Sequence, residues 1–262
     1  MPVSLEQILN STRRQIPALR ERRAVLEREA SSAADPRPLE HALAGETVRV
    51  IAEVKRRSPS RGSIRDDLDP AAHAAAYAGA GAAAISVLTD GPFFGGSLDD
   101  LRAVAQRVHV PVLRKDFILD ELQIIEARAA GASAVLLIVR ALSRERLRVL
   151  LSCASERRLD ALVEVHTRDE LGVALESGAR IVGVNSRDLD TFRIDTGKAW
   201  EIVSAVPPGV VAVAESGMAS PADVERAAAA GADAVLVGTA LSAATDPAPL
   251  LGAMTRIPRH AR

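Results

Sequence analysis

Cysteine, asparagine and lysine are scarce in this 262-residue chain, neither charge sign dominates, and no long apolar run interrupts it. The single cysteine, Cys153, cannot form an internal disulfide, and Glu6 with Arg13 and Arg14 stand where a secretory leader would need its apolar core, so the cytoplasm is the expected compartment. Acidic and basic residues nearly cancel, 34 against 33, which leaves no overall field to attract nucleic acid or an anionic membrane. The longest apolar-leaning uncharged stretch, Ala74 to Leu88, has 15 residues and carries glycines, short of the ~20 that a membrane-spanning helix requires. With 48 % hydrophobic and 26 % charged residues the composition is that of a globular protein with ample core, and the length suits one large domain.

The lysine deficit carries the most information. Only Lys55, Lys115 and Lys198 stand among 33 basic residues, the other 30 being arginine, and Asn10 and Asn185 are the two asparagines. A chain that uses arginine wherever a plain positive charge suffices needs a separate reason for each lysine. An ammonium can titrate toward neutral pH, and a guanidinium cannot.

Residues 5 to 30 carry a helical stripe, Leu5, Ile8, Leu9, Ile16, Leu19 and Leu26, with Ser4 as N-cap and Pro17 expected to split it in two. Residues 31 to 46 have no sustained period and read as a connector. From Val48 onward, eight short aliphatic runs alternate with amphipathic stretches of ten to fifteen residues: 48–54, 83–88, 110–113, 134–139, 161–165, 181–184, 210–214 and 234–237. Such runs predict parallel strands buried on both faces, each followed by a crossover helix. Residues 129–136 (AAGASAVL) are echoed by 229–236 (AAGADAVL), and a glycine precedes each even-numbered strand, at Gly81, Gly131, Gly178 and Gly231. Two β/α units per repeat favour a closed (β/α)8 TIM barrel, residues 47–262, over an open doubly wound sheet, with residues 1–46 as an N-terminal helical extension of one domain overall.

In such a barrel the chemistry lies at the C-terminal ends of the strands. Those stops hold Glu53 and Lys55, Lys115, Glu164, Asn185 with Arg187, Glu215-Ser216-Gly217, and Gly238-Thr239. Alternation puts Glu53 and Lys55 on one face, the barrel interior, where an unpaired charge is costly. Glu53, Lys55, Lys115, Glu164 and Arg187 are the expected lining of a catalytic mouth, since coupled charges hold pKa values apart. Gly217 and Gly238, flanked by the hydroxyls of Ser216 and Thr239, follow strands 7 and 8, where barrels commonly bind phosphate through backbone N–H groups. Phe93 and Phe94, half of the four phenylalanines, form with Phe117 either a wall for an aromatic ring or a helix-packing face.

The five histidines show no paired metal spacing, so no metal is implied, and His166 reads as a hydrogen-bonded loop residue. Cys153, on a face with Leu147, Leu150 and Leu151, reads as core, and Gly95-Gly96 lacks the dinucleotide-binding pattern.

The motifs Glu53-Val-Lys55-Arg-Arg-Ser58-Pro59-Ser60, Leu113-Arg-Lys115-Asp-Phe117, Leu162-Val-Glu164-Val-His166, Val184-Asn185-Ser-Arg187-Asp188-Leu189 and Ala214-Glu215-Ser216-Gly217 together resemble the indole-3-glycerol phosphate synthases, in order from about residue 4 to residue 245. The resemblance implies a carbon–carbon lyase that closes the ring of 1-(2-carboxyphenylamino)-1-deoxyribulose 5-phosphate with loss of CO2 and water and needs no cofactor. It implies Lys115 as the general acid on the ketone and Lys55 and Glu53 as acid and base for dehydration, with Glu164 and Asn185 assisting. Which of Lys55 and Glu164 delivers the second proton stays open. The substrate phosphate is expected at Ser216, Gly217, Gly238 and Thr239, its ring at Phe94 and Phe117, and its carboxylate at Arg187 with Ser58 nearby. Glu215 belongs to the same substrate-binding set, and the N-terminal helices are expected to close part of the mouth. The chain departs from the family at Glu121-Leu122, where Pro-Tyr is frequent, and at Ser186, where a second Asn is frequent.

Two other classes compete. A phosphoribosyl isomerase would place an acid–base pair such as Cys and Asp at strands 1 and 6, where this chain has Glu-Val-Lys and Asn, and a Schiff-base aldolase would use Lys115 as nucleophile. A non-catalytic barrel binding a phosphorylated ligand would have no need of lysine over arginine. The expected partner is a phosphorylated small molecule, with no nucleic acid and no membrane.

Overall fold

Eight parallel strands close into a barrel in the computed structural model, which describes residues 4–58, 62–65, 67–188, 193–260 and 262. They are β1 (Arg49–Val54), β2 (Ala84–Leu88), β3 (Val112–Lys115), β4 (Ala134–Ile138), β5 (Asp160–Val165), β6 (Ile181–Asn185), β7 (Val211–Glu215) and β8 (Ala234–Val237). Closure is direct: β1 pairs with β2 (Ile51 opposite Ala84) and with β8 (Arg49 opposite Ala234). An open sheet is thereby excluded. β3 begins two residues later than the aliphatic run suggests, because Pro111 has no N–H to give to a ladder, and it extends to include Lys115. A two-stranded ladder, Arg57–Ser58 with Gly62–Ser63, rises from the loop after β1 and has no counterpart in the sequence pattern. Pro59, Ser60 and Leu189 of the motifs lie outside the described residues.

Helices α1 (Leu5–Glu21), α2 (Arg23–Ser32) and α3 (Leu39–Ala42) precede the barrel. Ser4 and Gln7 form the capping box that starts α1. Pro17 does not split it: the proline is exposed, so the carbonyl it leaves unbonded faces water, and the break falls at Arg22 instead. The connector also holds more structure than its composition suggests. The Glu40 N–H of α3 donates to Asp160 at the start of β5 (3.0 Å), and Arg49 at the start of β1 donates to the Ala42 carbonyl (3.1 Å). α3 therefore plugs the N-terminal end of the barrel, with Leu39 and Leu43 fully buried in the interior cluster of Ile51, Leu113, Leu162, Ile181 and Val213.

From α1, Leu5, Ile8 and Leu9 join the apolar cluster that contains Phe117, with Phe93 and Phe94 packed against it. α2 turns its Leu26 and Ala30 onto Leu122 and Ile125 of the helix after β3. The outer faces of the strands and their crossover helices form a second, larger core that includes Cys153. The repeat glycines Gly81, Gly131, Gly178 and Gly231 each take φ between 87° and 98° just after a helix end, a turn that side chains resist. Arg158 makes a similar turn before β5 at φ 58° without a glycine, and Gly209 makes one before β7 at φ 87°.

Candidate active site

Glu53 of β1, Lys115 of β3, Glu164 of β5 and Glu215 of β7 meet inside the barrel, one from each odd strand, as side-chain layers in this architecture do. Lys115 Nζ lies 3.3 Å from Glu215 Oε2 and 3.6 Å from Glu164 Oε2. Lys55, just beyond β1, lies 3.2 Å from Glu53 Oε1. The neighbouring even strands make room for these carboxylates. A Cβ on Gly183 of β6 would stand 2.0 Å from Glu215 Oε1, and one on Gly238 would stand 2.5 Å from Glu53 Oε1.

Burial and mutual charge set the protonation of this layer. Burial opposes the charge on Glu53, but Lys55, Lys115 and Arg187 outweigh it and hold the carboxyl below its ordinary value. Burial likewise opposes the ammonium of Lys115, yet Glu215, Glu164 and Glu53 together hold its pKa above that of a free lysine. This corrects the expectation of a lysine drawn toward neutrality: three carboxylates surround one cation, so the cation stays charged. Their mutual repulsion falls on Glu215. Burial first, then Glu164 and Glu53, against the attraction of Lys115, push its pKa up to about 7.

The remaining expected residues surround this layer. Asn185 ends β6, and its Oδ1 accepts the Arg187 N–H at 3.0 Å, holding the start of a loop in which Arg187 bridges to Ile194. Ser58 is buried on the short ladder after β1. Phe94 and Phe117 face each other with centroids 6.1 Å apart and planes inclined by 37°. Ser216 and Gly217 follow β7 with φ of 60° and 75°, and Gly238 begins the helix Thr239–Ala243, whose first N–H groups have no side-chain cap among the described residues. All fourteen expected residues border a single cavity of about 540 Å³, a size typical of small-molecule sites. Lys198, the third lysine, is exposed on the helix Thr196–Val203 and does not line it.

Several supporting residues are not legible as single motifs. Arg114 and Asp116 flank Lys115 but point outward by alternation: buried Arg114 donates to Asp116 (3.0 Å), to the Gln123 carbonyl (2.8 Å) and to Glu126 (3.1 Å), while Asp116 accepts from Thr89 and from the Phe117 N–H. This network holds the strand end that carries Lys115 and Phe117. Asp90 caps the N–H groups of Phe93 and Phe94 and so sets the aromatic wall. The Ser242 hydroxyl donates to the Glu53 carbonyl (3.2 Å). Ser186 donates to the Glu215 carbonyl (3.1 Å), so the hydroxyl at this departure from the family is used inside the fold. Glu121, the other departure, donates nothing to the cavity and pairs with Arg146.

Residues 5–252 match a family model described as indole-3-glycerol phosphate synthase. Curated relatives bearing that name include one from Parafrankia sp., 49 % identical over 93 % of this chain and 92 % of its own length, and one from Chlorobium phaeovibrioides, 48 % identical over 92 % and 95 %. One from Leptospira interrogans is 50 % identical over 79 % of this chain and 84 % of its own. Among solved structures, a 3-hexulose-6-phosphate synthase superposes with a TM-score of 0.63 at 17 % identity, covering 79 % of this chain and 98 % of that one. The thiamine phosphate pyrophosphorylase of Pyrococcus furiosus gives 0.61 at 17 %, covering 82 % and 95 %. These two likenesses concern the barrel alone. Among the described residues no helix is long and apolar enough to cross a membrane.

Proposed function

The chain belongs to the indole-3-glycerol phosphate synthase family, and from that premise we propose how each group in its mouth takes part. The activity is the decarboxylating, dehydrating ring closure of 1-(2-carboxyphenylamino)-1-deoxyribulose 5-phosphate to indole-3-glycerol phosphate, CO2 and water, a carboxy-lyase step of tryptophan biosynthesis. Two lysine–carboxylate groupings in one cavity, Lys115 with Glu164 and Glu215 and Lys55 with Glu53, carry the reading, because the reaction needs two acid steps and a base.

Lys115 gives its proton to the ketone oxygen as the ring carbon bearing the carboxylate attacks the carbonyl carbon, and loss of CO2 restores the aromatic ring. Glu215, poised near neutrality, returns a proton to Lys115. The new hydroxyl then leaves as water with a proton from Lys55, while Glu53 beside it takes a proton from the methylene carbon next to nitrogen. Lys55 is assigned the second proton because it stands on the base, whereas Glu164 is directed at Lys115. Asn185 orients the loop that carries Arg187, which with Ser58 receives the carboxylate; Phe94 and Phe117 receive the ring. The phosphate is assigned to Ser216, Gly217, Gly238 and Thr239, supported by the uncapped N–H groups at Gly238 and the glycine-lined end of the cavity. A cytoplasmic setting is part of the same proposal, supported by a biosynthetic family and a lone buried cysteine.

A Schiff-base mechanism is disfavoured, because an amine held protonated by three carboxylates is no nucleophile. Incubation of the purified protein with the anilino-deoxyribulose phosphate is expected to release CO2 and develop indole fluorescence. Borohydride with a keto-sugar phosphate is expected to leave Lys115 unmodified. A folded protein without turnover, or a trapped Lys115 adduct, overturns the reading.

A further inference from the structure

His166 follows Glu164 by two residues at the end of β5, and the reaction as assigned makes no use of it. Its ring is buried, with Nε2 3.5 Å from Glu164 Oε1 and Nδ1 3.4 Å from Glu170 Oε2. Among the described residues neither ring nitrogen has a hydrogen bond to another group. A neutral imidazole has one donor and one acceptor nitrogen and would set a lone pair against one of these carboxylates; only the imidazolium offers N–H to both. The Glu170 end is fixed: Oε2 also accepts the His166 backbone N–H (2.6 Å), and Oε1 accepts from Arg140 (3.2 Å). Arg140 reaches on to Asp188 (3.5 Å), the neighbour of Arg187 in the loop after β6.

We infer that His166 is a positioning residue: held as an imidazolium between Glu164 and Glu170, it engages one oxygen of Glu164 and leaves the other turned to Lys115. The two oxygens of Glu164 are divided in this way, Oε1 to His166 and Oε2 to Lys115 at 3.6 Å. The charged groups around the ring are Glu164 on its own strand, Glu170 on the following helix, Arg140 in the turn after β4, Lys115 of β3 across Glu164, and Asp188 behind Arg140. Burial opposes its charge and Arg140 repels it, but Glu170 and Glu164 outweigh both and raise its pKa above the ordinary 6.5. As pH rises through that pKa, one N–H is lost, a lone pair faces a carboxylate, and Glu164 is released from its orientation. Turnover should then fall while the phosphate and ring contacts that set KM persist. The inference rests on the proton-transfer reading of Glu164.

Nitrogen NMR of histidine-labelled full-length protein at pH 7 tests the ring state directly, with the His166 resonance assigned by its loss in His166→Asn or its shift in Glu170→Gln. Both ring nitrogens protonated is the expected result. A neutral ring overturns the inference while leaving the role of Glu164 to the kinetics of Glu164→Gln. In turnover, Glu170→Gln should move the alkaline limb of kcat to lower pH with KM within about threefold of wild type. His166→Asn should abolish that limb and lower kcat by at least ~10-fold, within the ~10²-fold that a 1 Å misplacement costs. An unchanged pH profile in folded Glu170→Gln overturns the positioning role.

Discussion

Gly238 stands against Glu53 so closely that a Cβ would lie 2.5 Å from the carboxylate Oε1. The glycine that opens the helix Thr239–Ala243 therefore serves two groups, the backbone N–H donors proposed for the phosphate and the carboxylate proposed as base. Gly238→Val should raise KM and lower kcat together. Gly217→Val should act chiefly on KM, because Gly217 has φ 75° and a Cβ there would meet Thr196 and Ile194 rather than a carboxylate. Steady-state kinetics with thermal melts separate the two, and an unchanged KM in folded Gly217→Val would move the phosphate elsewhere.

Lys115→Arg keeps a positive charge between Glu164 and Glu215 but replaces the ammonium proposed as proton donor with a planar, delocalised guanidinium of different reach and geometry. Affinity for the anionic substrate should largely survive, apart from a steric penalty for the longer fork, and kcat should fall by at least ~10²-fold. The same change at exposed Lys198 should leave both parameters near wild type. Turnover of Lys115→Arg within ~10-fold of wild type would reduce Lys115 to a plain charge.

Glu53→Gln and Glu164→Gln should each lower kcat by ~10²–10⁴-fold in a folded protein. Near-native turnover in either variant would make that carboxylate structural.

Glu215 links the site to stability. Its folded pKa of about 7 lies above the ordinary 4.5, so between those values the folded protein keeps a proton that the unfolded chain has lost, and stability falls as pH rises through this window. Glu215→Gln removes the cost of ionising the carboxyl. Its Tm should exceed that of wild type above pH 7 and lose this advantage toward pH 4.5, by about 2–4 °C per kcal/mol for a protein of this size. Turnover should fall, because the proposed proton source is gone. Equal Tm values at pH 8 would argue that Glu215 titrates like an ordinary carboxylate.

The eight strands were legible because each is an aliphatic run whose burial on both faces leaves no polar alternation to confuse the reading. The cavity residues were legible because the barrel confines chemistry to eight strand ends, and because lysine is so rare that Lys55 and Lys115 stand out against thirty arginines. α3 was hidden, since four residues are too few for a period and its leucines are explained only by the barrel floor they fill. Arg114 and Asp116 were hidden beside Lys115, because a sequence does not announce which charged neighbour faces inward.

By itself, then, the order of residues determined the barrel, the family and the set of side chains at its mouth, through local patterning that needs no partner to be read. Tertiary structure alone decided how those side chains share charge. Lys115 stays protonated, Glu215 titrates near neutrality and Gly183 and Gly238 face carboxylates, because these outcomes depend on distances between residues up to 185 positions apart, such as Glu53 and Gly238, and on the water excluded between them. Coulombic coupling and desolvation act through space, so only the closed barrel that brings the odd strands together sets their balance.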